Sequence, residues 1–180
     1  MDTKKIRTYL LPFLLTVFVI GIDQLSKFLI VASIEPWSVG YQFFGDLVRI
    51  VCVYNTGAAF SLGHGLPETL RFIVLACIPA VFIAGICVAY FKTDFSNIQR
   101  WWLCGIIGGG ISNILDRFFR PEGVVDFIDV KFFGLFGLER WPTFNIADSV
   151  IVIGAFALFI TIAMQDIIKQ KTENKTETEL

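Results

Sequence analysis

The chain has 180 residues, of which 55% are hydrophobic and 15% aromatic, with a mean hydropathy of +0.68. That is too apolar for a water-soluble domain and assigns the chain to a lipid bilayer. A net charge of −1 and a pI near 5.8 give no reason to expect a nucleic-acid partner.

Four segments are long enough to cross roughly 30 Å of hydrocarbon at about 1.5 Å per helical residue. They fall near residues 8–32, 70–91, 100–119 and 147–168. All four are predicted as helices, because no other open structure pairs its backbone groups in lipid.

The first span opens with KKIR followed by LLPFLLTVFVIGI, a pattern shared with secretory leaders. Three more spans follow and no small-residue cleavage site stands out, so it is read as a retained helix. Asp23 and Lys27 lie four apart with the acid first, the favourable order for an intrahelical ion pair. A structural pair and a direct chemical role both remain open.

Residues 33–69 form a first outer loop, in which LVRIVCVY reads as a strand and the glycines of NTGAAFSLGHG as turns. Asn55 in YNTG cannot ionise and is read as a hydrogen-bonding residue. His64 is the only histidine, and its glycine-flanked position makes a nucleophilic triad a poor reading.

The third span carries GGGISNILDR. Its glycines let a neighbouring backbone approach closely, and without a lysine they are no phosphate cradle. Asn113 and Arg117 share a face four apart, with Asp116 beside them. Polar groups at membrane depth line a cavity or bind a neighbour, so structure and substrate handling are both open here.

A second outer loop, 120–145, holds Phe132, Phe133, Leu135, Phe136, Leu138 and Trp141. These suit the headgroup boundary and are expected to form a lid that moves over a cleft. The tail KQKTENKTETEL after the last span is polar and expected to fray. Eight Lys and Arg lie on the side of the termini and six on the loop side, which places both termini in the cytoplasm. Cys52, Cys77, Cys87 and Cys104 lack metal-site spacing, and neither a metal, a cofactor nor a disulfide framework is expected.

The chemistry therefore falls to carboxylates. Asp126 lies in GVVDFIDV beyond the third span, and Asp148 opens the fourth. Two acids brought close in a low-dielectric cleft share one proton. One then acts as base on a water while the other donates to a carbonyl oxygen, which suffices for peptide hydrolysis. Asp129 is the rival second acid, but three residues along an extended chain it points to the opposite face. The plain alternative for Asp148 is a helix cap.

The ordered blocks DQLSK (Asp23 to Lys27), YNTGAAFS (Tyr54 to Ser61), GGGISNILDR (Gly108 to Arg117), GVVDF (Gly123 to Phe127) and WPTFNIADS (Trp141 to Ser149) resemble the lipoprotein signal peptidases, the type II bacterial signal peptidases. The resemblance implies an all-α integral membrane protein in one domain, 1–180, with four transmembrane helices, a small extracytoplasmic β-cradle and an interfacial loop. It implies an aspartic endopeptidase of the bacterial inner membrane, active near the outer face, that removes the signal peptide of diacylglyceryl-modified prolipoproteins just before the lipidated cysteine. The family's catalytic dyad falls on Asp126 and Asp148, and its other motif residues fall on Asp23, Lys27, Asn55, Asn113, Arg117 and Asn145. The expected partners are that prolipoprotein and membrane lipids, with the enzyme a monomer. Ser112, where the family often has glycine, and the long stretch KFFGLFGLER depart from the pattern; the serine is expected to loosen helix packing slightly. A proton-coupled carrier relaying through Asp23, Lys27, Asp126 and Asp148 is the alternative from a different class, and a membrane scaffold a third.

Overall fold

A computed structural model describes residues 3–57 and 67–178. His64 and the rest of the AAFSLGHG part of the predicted turn segment lie outside the described residues. The chain begins with α1 (Thr3–Tyr9) and α2 (Phe13–Ser33), separated near Pro12. The strands β1 (Val39–Phe43) and β2 (Val48–Asn55) follow. A continuous helical stretch then comprises α3 (Glu68–Phe72), one π-helical turn (Ile73–Cys77) and α4 (Ile78–Lys92). Pro79 explains the wider turn, since its ring displaces the carbonyl of the preceding turn and it has no N–H to donate.

Ser96 caps α5 (Asn97–Phe119) in a reciprocal box with Gln99. The remaining elements are β3 (Val124–Leu135), β4 (Leu138–Arg140) and α6 (Ile146–Thr178). Most of the region expected as a second loop is thus a long strand and a hairpin. α6 continues ten residues past the expected boundary at 168, through the polar tail to Thr178. Lys, Gln and Glu are good helix formers, and extending an existing helix needs no new nucleus.

Three helical stretches, Lys5–Ser33, Thr69–Lys92 and Ile146–Lys171, are long and apolar enough to cross a membrane. Their outward faces are apolar: Val17, Phe82 and Phe159 are each about 70% exposed. Their inner faces are not. On α2 the buried residues are Thr16, Val19, Asp23 and Lys27, one helical stripe that is mostly polar. This inversion suits a protein with lipid outside and polar chemistry within.

α5 is the hub. A Cβ on Gly108 would meet the Thr16 carbonyl oxygen of α2 at 2.9 Å, one on Gly109 the Ala147 carbonyl oxygen of α6 at 2.6 Å, and one on Gly110 the Ile83 side chain of α4 at 2.5 Å. Three successive residues, about 100° apart around the axis, admit three different helices.

The strands form one antiparallel sheet in the order β1-β2-β3-β4. In the β2–β3 ladder Asn55 pairs with Val124 and Val53 with Asp126, while Val48 pairs with Val130 at the other end. The Asn55 end therefore carries Asp126. The opposite end carries the β1–β2 and β3–β4 turns, with Phe44, Phe133 and Phe136 all at positive φ.

Candidate active site

Asn145 opens α6. Its Oδ1 accepts the Asp148 N–H at 2.9 Å, and its own N–H donates to Asp148 Oδ2 at 3.2 Å. Asp148 is thus the third residue of a capping box whose N-cap is Asn145, which corrects the expectation that Asp148 itself would be the cap. A further amide at this helix start, Ala147 N–H, donates to Asp23 Oδ1 of α2 at 2.9 Å.

The side-chain amide of Asn145 connects the two acids. Its Nδ2 donates to Asp126 Oδ1 at 2.7 Å and to Asn113 Oδ1 at 3.1 Å. Asn113 in turn donates to Asp148 Oδ1 at 2.7 Å. Asn55 donates to the other oxygen of Asp126 at 2.9 Å. The strand ladder and two helices thus bring Asp126, Asp148, Asn55, Asn113 and Asn145 into one hydrogen-bonded group. Asn145 is fully buried and Asp126 nearly so. Burial, and then the negative charge of Asp148, push the Asp126 carboxyl up to about 7.

Beneath this group lies a charge cluster. Lys27 Nζ reaches Asp23 Oδ2 at 2.7 Å, Asp116 Oδ2 at 2.7 Å and Asn113 Oδ1 at 2.9 Å. Two carboxylates and one amide oxygen thus surround it, the charge compensation a buried ammonium requires. Arg120 closes the far side on Asp116 at 3.0 Å. Through Asn113 this cluster fixes the amide that faces Asp148.

Arg117 donates to the Gly57 carbonyl at 2.7 Å, and the charges of Asp126, Asp148 and Asp116 act on it. Asp129 is drawn away from Asp126 altogether, bonding to Arg140 at 2.6 Å and to Arg49. Sequence reasoning gave no role to Gln24, whose Nε2 donates to the Ser112 carbonyl, Ser112 Oγ and Asp116 Oδ1 at 3.0 to 3.1 Å. Nor did it anticipate that Ser112 Oγ would donate to Asp23 Oδ2 at 2.7 Å. Ser112 ties α5 to α2 rather than loosening the packing. The available signal was the i, i+4 spacing of Ser112 and Asp116 within an apolar segment.

Residues 15–164 match the family model described as signal peptidase (SPase) II. The chain belongs to the signal peptidase II family. Relatives named lipoprotein signal peptidase are 50% identical in Treponema denticola, over 97% of this chain and 99% of that one, and 42% identical in Borreliella burgdorferi, over 96% and 99%. A solved structure described as a bacterial membrane enzyme superposes with a TM-score of 0.73 at 25% identity, covering 86% of this chain and 88% of that chain. This signal peptidase II is therefore a protease with a bacterial membrane-enzyme fold, built from three apolar helices and a small antiparallel sheet. The carrier reading finds no support among these relatives.

Proposed function

We propose that this signal peptidase II is an intramembrane aspartic endopeptidase whose dyad is Asp126 and Asp148. The observation that carries the proposal is the hydrogen-bonded path from Asp126 through Asn145 and Asn113 to Asp148, in a buried setting that pushes Asp126 up to about 7. Near neutrality the pair holds one proton. Asp126 carries it towards the scissile carbonyl oxygen, and Asp148 takes a proton from the attacking water. The O–H bond of water breaks as the new C–O bond forms; Asp148 then passes its proton to the leaving nitrogen as the C–N bond breaks, and Asp126 takes back the hydroxyl proton of the tetrahedral intermediate. Asn55, Asn113 and Asn145 hold the carboxylates, while Asp23 and Lys27 hold Asn113 and the start of α6. Arg117 supports the Gly57 backbone next to Asn55.

The substrate is a diacylglyceryl-modified prolipoprotein, cut just before the lipidated cysteine. α5 acts as a fourth transmembrane helix shielded by the other three, since its 23 residues span about 34 Å at 1.5 Å each. The chain works as one domain and as a monomer, with both termini cytoplasmic and the sheet forming a cradle at the outer face of the inner membrane. Purified enzyme should release the signal peptide from lipidated prolipoprotein and leave the unlipidated precursor largely uncut. Equal cleavage of both would overturn the substrate assignment. A reporter fused after Leu180 that is active only outside the cytoplasm would overturn the topology.

A further inference from the structure

A cavity of about 370 Å³ lies between the start of α3 and the end of α5, with Arg71, Arg117, Arg120, Thr69, Phe72 and Leu75 in its wall. Three guanidinium groups share it. Arg120 is neutralised by Asp116, but Arg117 donates to the uncharged Gly57 carbonyl. Arg71 has neither an ion pair nor a hydrogen bond to another described side chain, whereas the charges of Asp126, Asp148 and Asp116 act on Arg117 more strongly than that of Arg71. Among the described residues no carboxylate lines the cavity.

The rim is apolar. Phe72 and Phe118 meet edge to face at 5.1 Å, both are exposed, and Phe119 beside them is 77% exposed. An unpaired cation, Arg71, next to outward-facing aromatics is what the headgroup boundary of a bilayer accommodates. Planar guanidiniums match phosphate oxygens in pairs.

We propose that this cavity binds the phosphate of an anionic phospholipid headgroup, whose acyl chains run along Phe72, Phe118 and Phe119. The bound phosphate pairs with Arg71 and fastens the start of α3 to the end of α5. The proposal rests on the membrane placement described above and not on the dyad, so it stands or falls independently of catalysis.

The test is native mass spectrometry of the full chain from micelles doped with phosphatidylglycerol or phosphatidylcholine, with inorganic phosphate as competitor. We expect phosphatidylglycerol retained at one per chain and phosphatidylcholine not. Arg71→Gln should weaken retention roughly tenfold and Arg71→Lys by less, because lysine keeps the charge but not the fork. Thr69→Glu, which sets a carboxylate in the cavity, should weaken it as well and serves as the second variant if Arg71→Gln does not fold. Cleavage in undoped micelles and the melting midpoint should match the parent in both variants. Equal retention of the two lipids, retention unchanged by Arg71→Gln and Thr69→Glu, or displacement by submillimolar inorganic phosphate would each overturn the proposal, the last by marking a site for a small anion.

Discussion

Asn145 and Asp148 cap one another across the first turn of α6, each accepting the other's backbone N–H, at 2.9 and 3.2 Å. The reciprocal bond holds Asp148 Oδ2, while Asn113 holds Oδ1. Structural and chemical duties therefore coincide in one residue, and substitutions at its partner can separate them.

Serine at position 145 keeps an N-cap oxygen but cannot reach Asp126, whereas alanine loses both functions. Asn145→Ser and Asn145→Ala should each lose most cleavage, since both remove the donor to Asp126. Only alanine should add the loss of a cap, about 1 kcal/mol. Turnover and thermal unfolding measured together check this. A stable, fully active Asn145→Ser enzyme would show that the bridge to Asp126 is dispensable.

The glycines of α5 differ sharply from Gly21 in α2, where an added methyl meets nothing within 4 Å. At Gly109 the methyl would sit 2.6 Å from the Ala147 carbonyl oxygen, one residue before Asp148. Gly109→Ala must push α6 away and should lower both the melting midpoint and turnover. Gly21→Ala should change turnover little and gain up to about 1 kcal/mol from helix propensity.

Asp126 binds its proton more tightly in the folded protein, at about 7, than in the unfolded chain, near 3.8. The stability that this proton contributes is full below the lower value and is lost as pH rises through the upper one, by at most about 1.4 kcal/mol per unit. Asp126→Asn removes the titration. Between pH 5 and 8 the parent should therefore lose thermal stability relative to Asp126→Asn, and its cleavage rate should fall above about pH 7, where the pair loses its shared proton. Parallel stability curves and a flat rate profile would contradict this.

How much of this was legible beforehand depended on distance along the chain. The Asp23–Lys27 pair follows from four-residue spacing, and β2 from a β-branched run, both local signals. The three bonds of Gln24 reach across 88 to 92 residues, and no pattern on α2 alone shows which face of α5 it meets. The β3–β4 hairpin was hidden for another reason. Phe133 and Phe136 occupy left-handed backbone, with φ of 55° and 54°, where bulky residues are rare, so their sequence reads as an aromatic loop. Asp129 was separable from Asp126 because alternation in a strand is a strong local rule. Its partners Arg49 and Arg140 were not foreseeable.

The same hairpin gives a prediction about the membrane surface. Phe133 and Phe136 are 72% and 85% exposed, while Phe132 packs on Trp141 at 5.0 Å. Nitroxides at 133 and 136, in protein reconstituted into bilayers, should be relaxed more by oxygen than by a water-soluble nickel chelate. Their distances to a label on α6 should shorten when an inhibitor occupies the cleft. Fully aqueous labels that do not move would remove the hairpin as an interfacial lid.

Turnover of lipidated prolipoprotein by Asp148→Asn, beside Asp126→Asn and the double variant, tests the dyad most directly. Asparagine at 148 still accepts the Asn145 N–H, so folding and membrane insertion should be almost intact. It cannot exchange a proton, so we expect each single variant to lose nearly all cleavage and the double to be little worse than either, as members of one unit behave. Asp129→Asn should keep most activity. A well-folded Asp148→Asn enzyme turning over near the parent rate would contradict the dyad and leave Asp148 as no more than part of the capping box of α6.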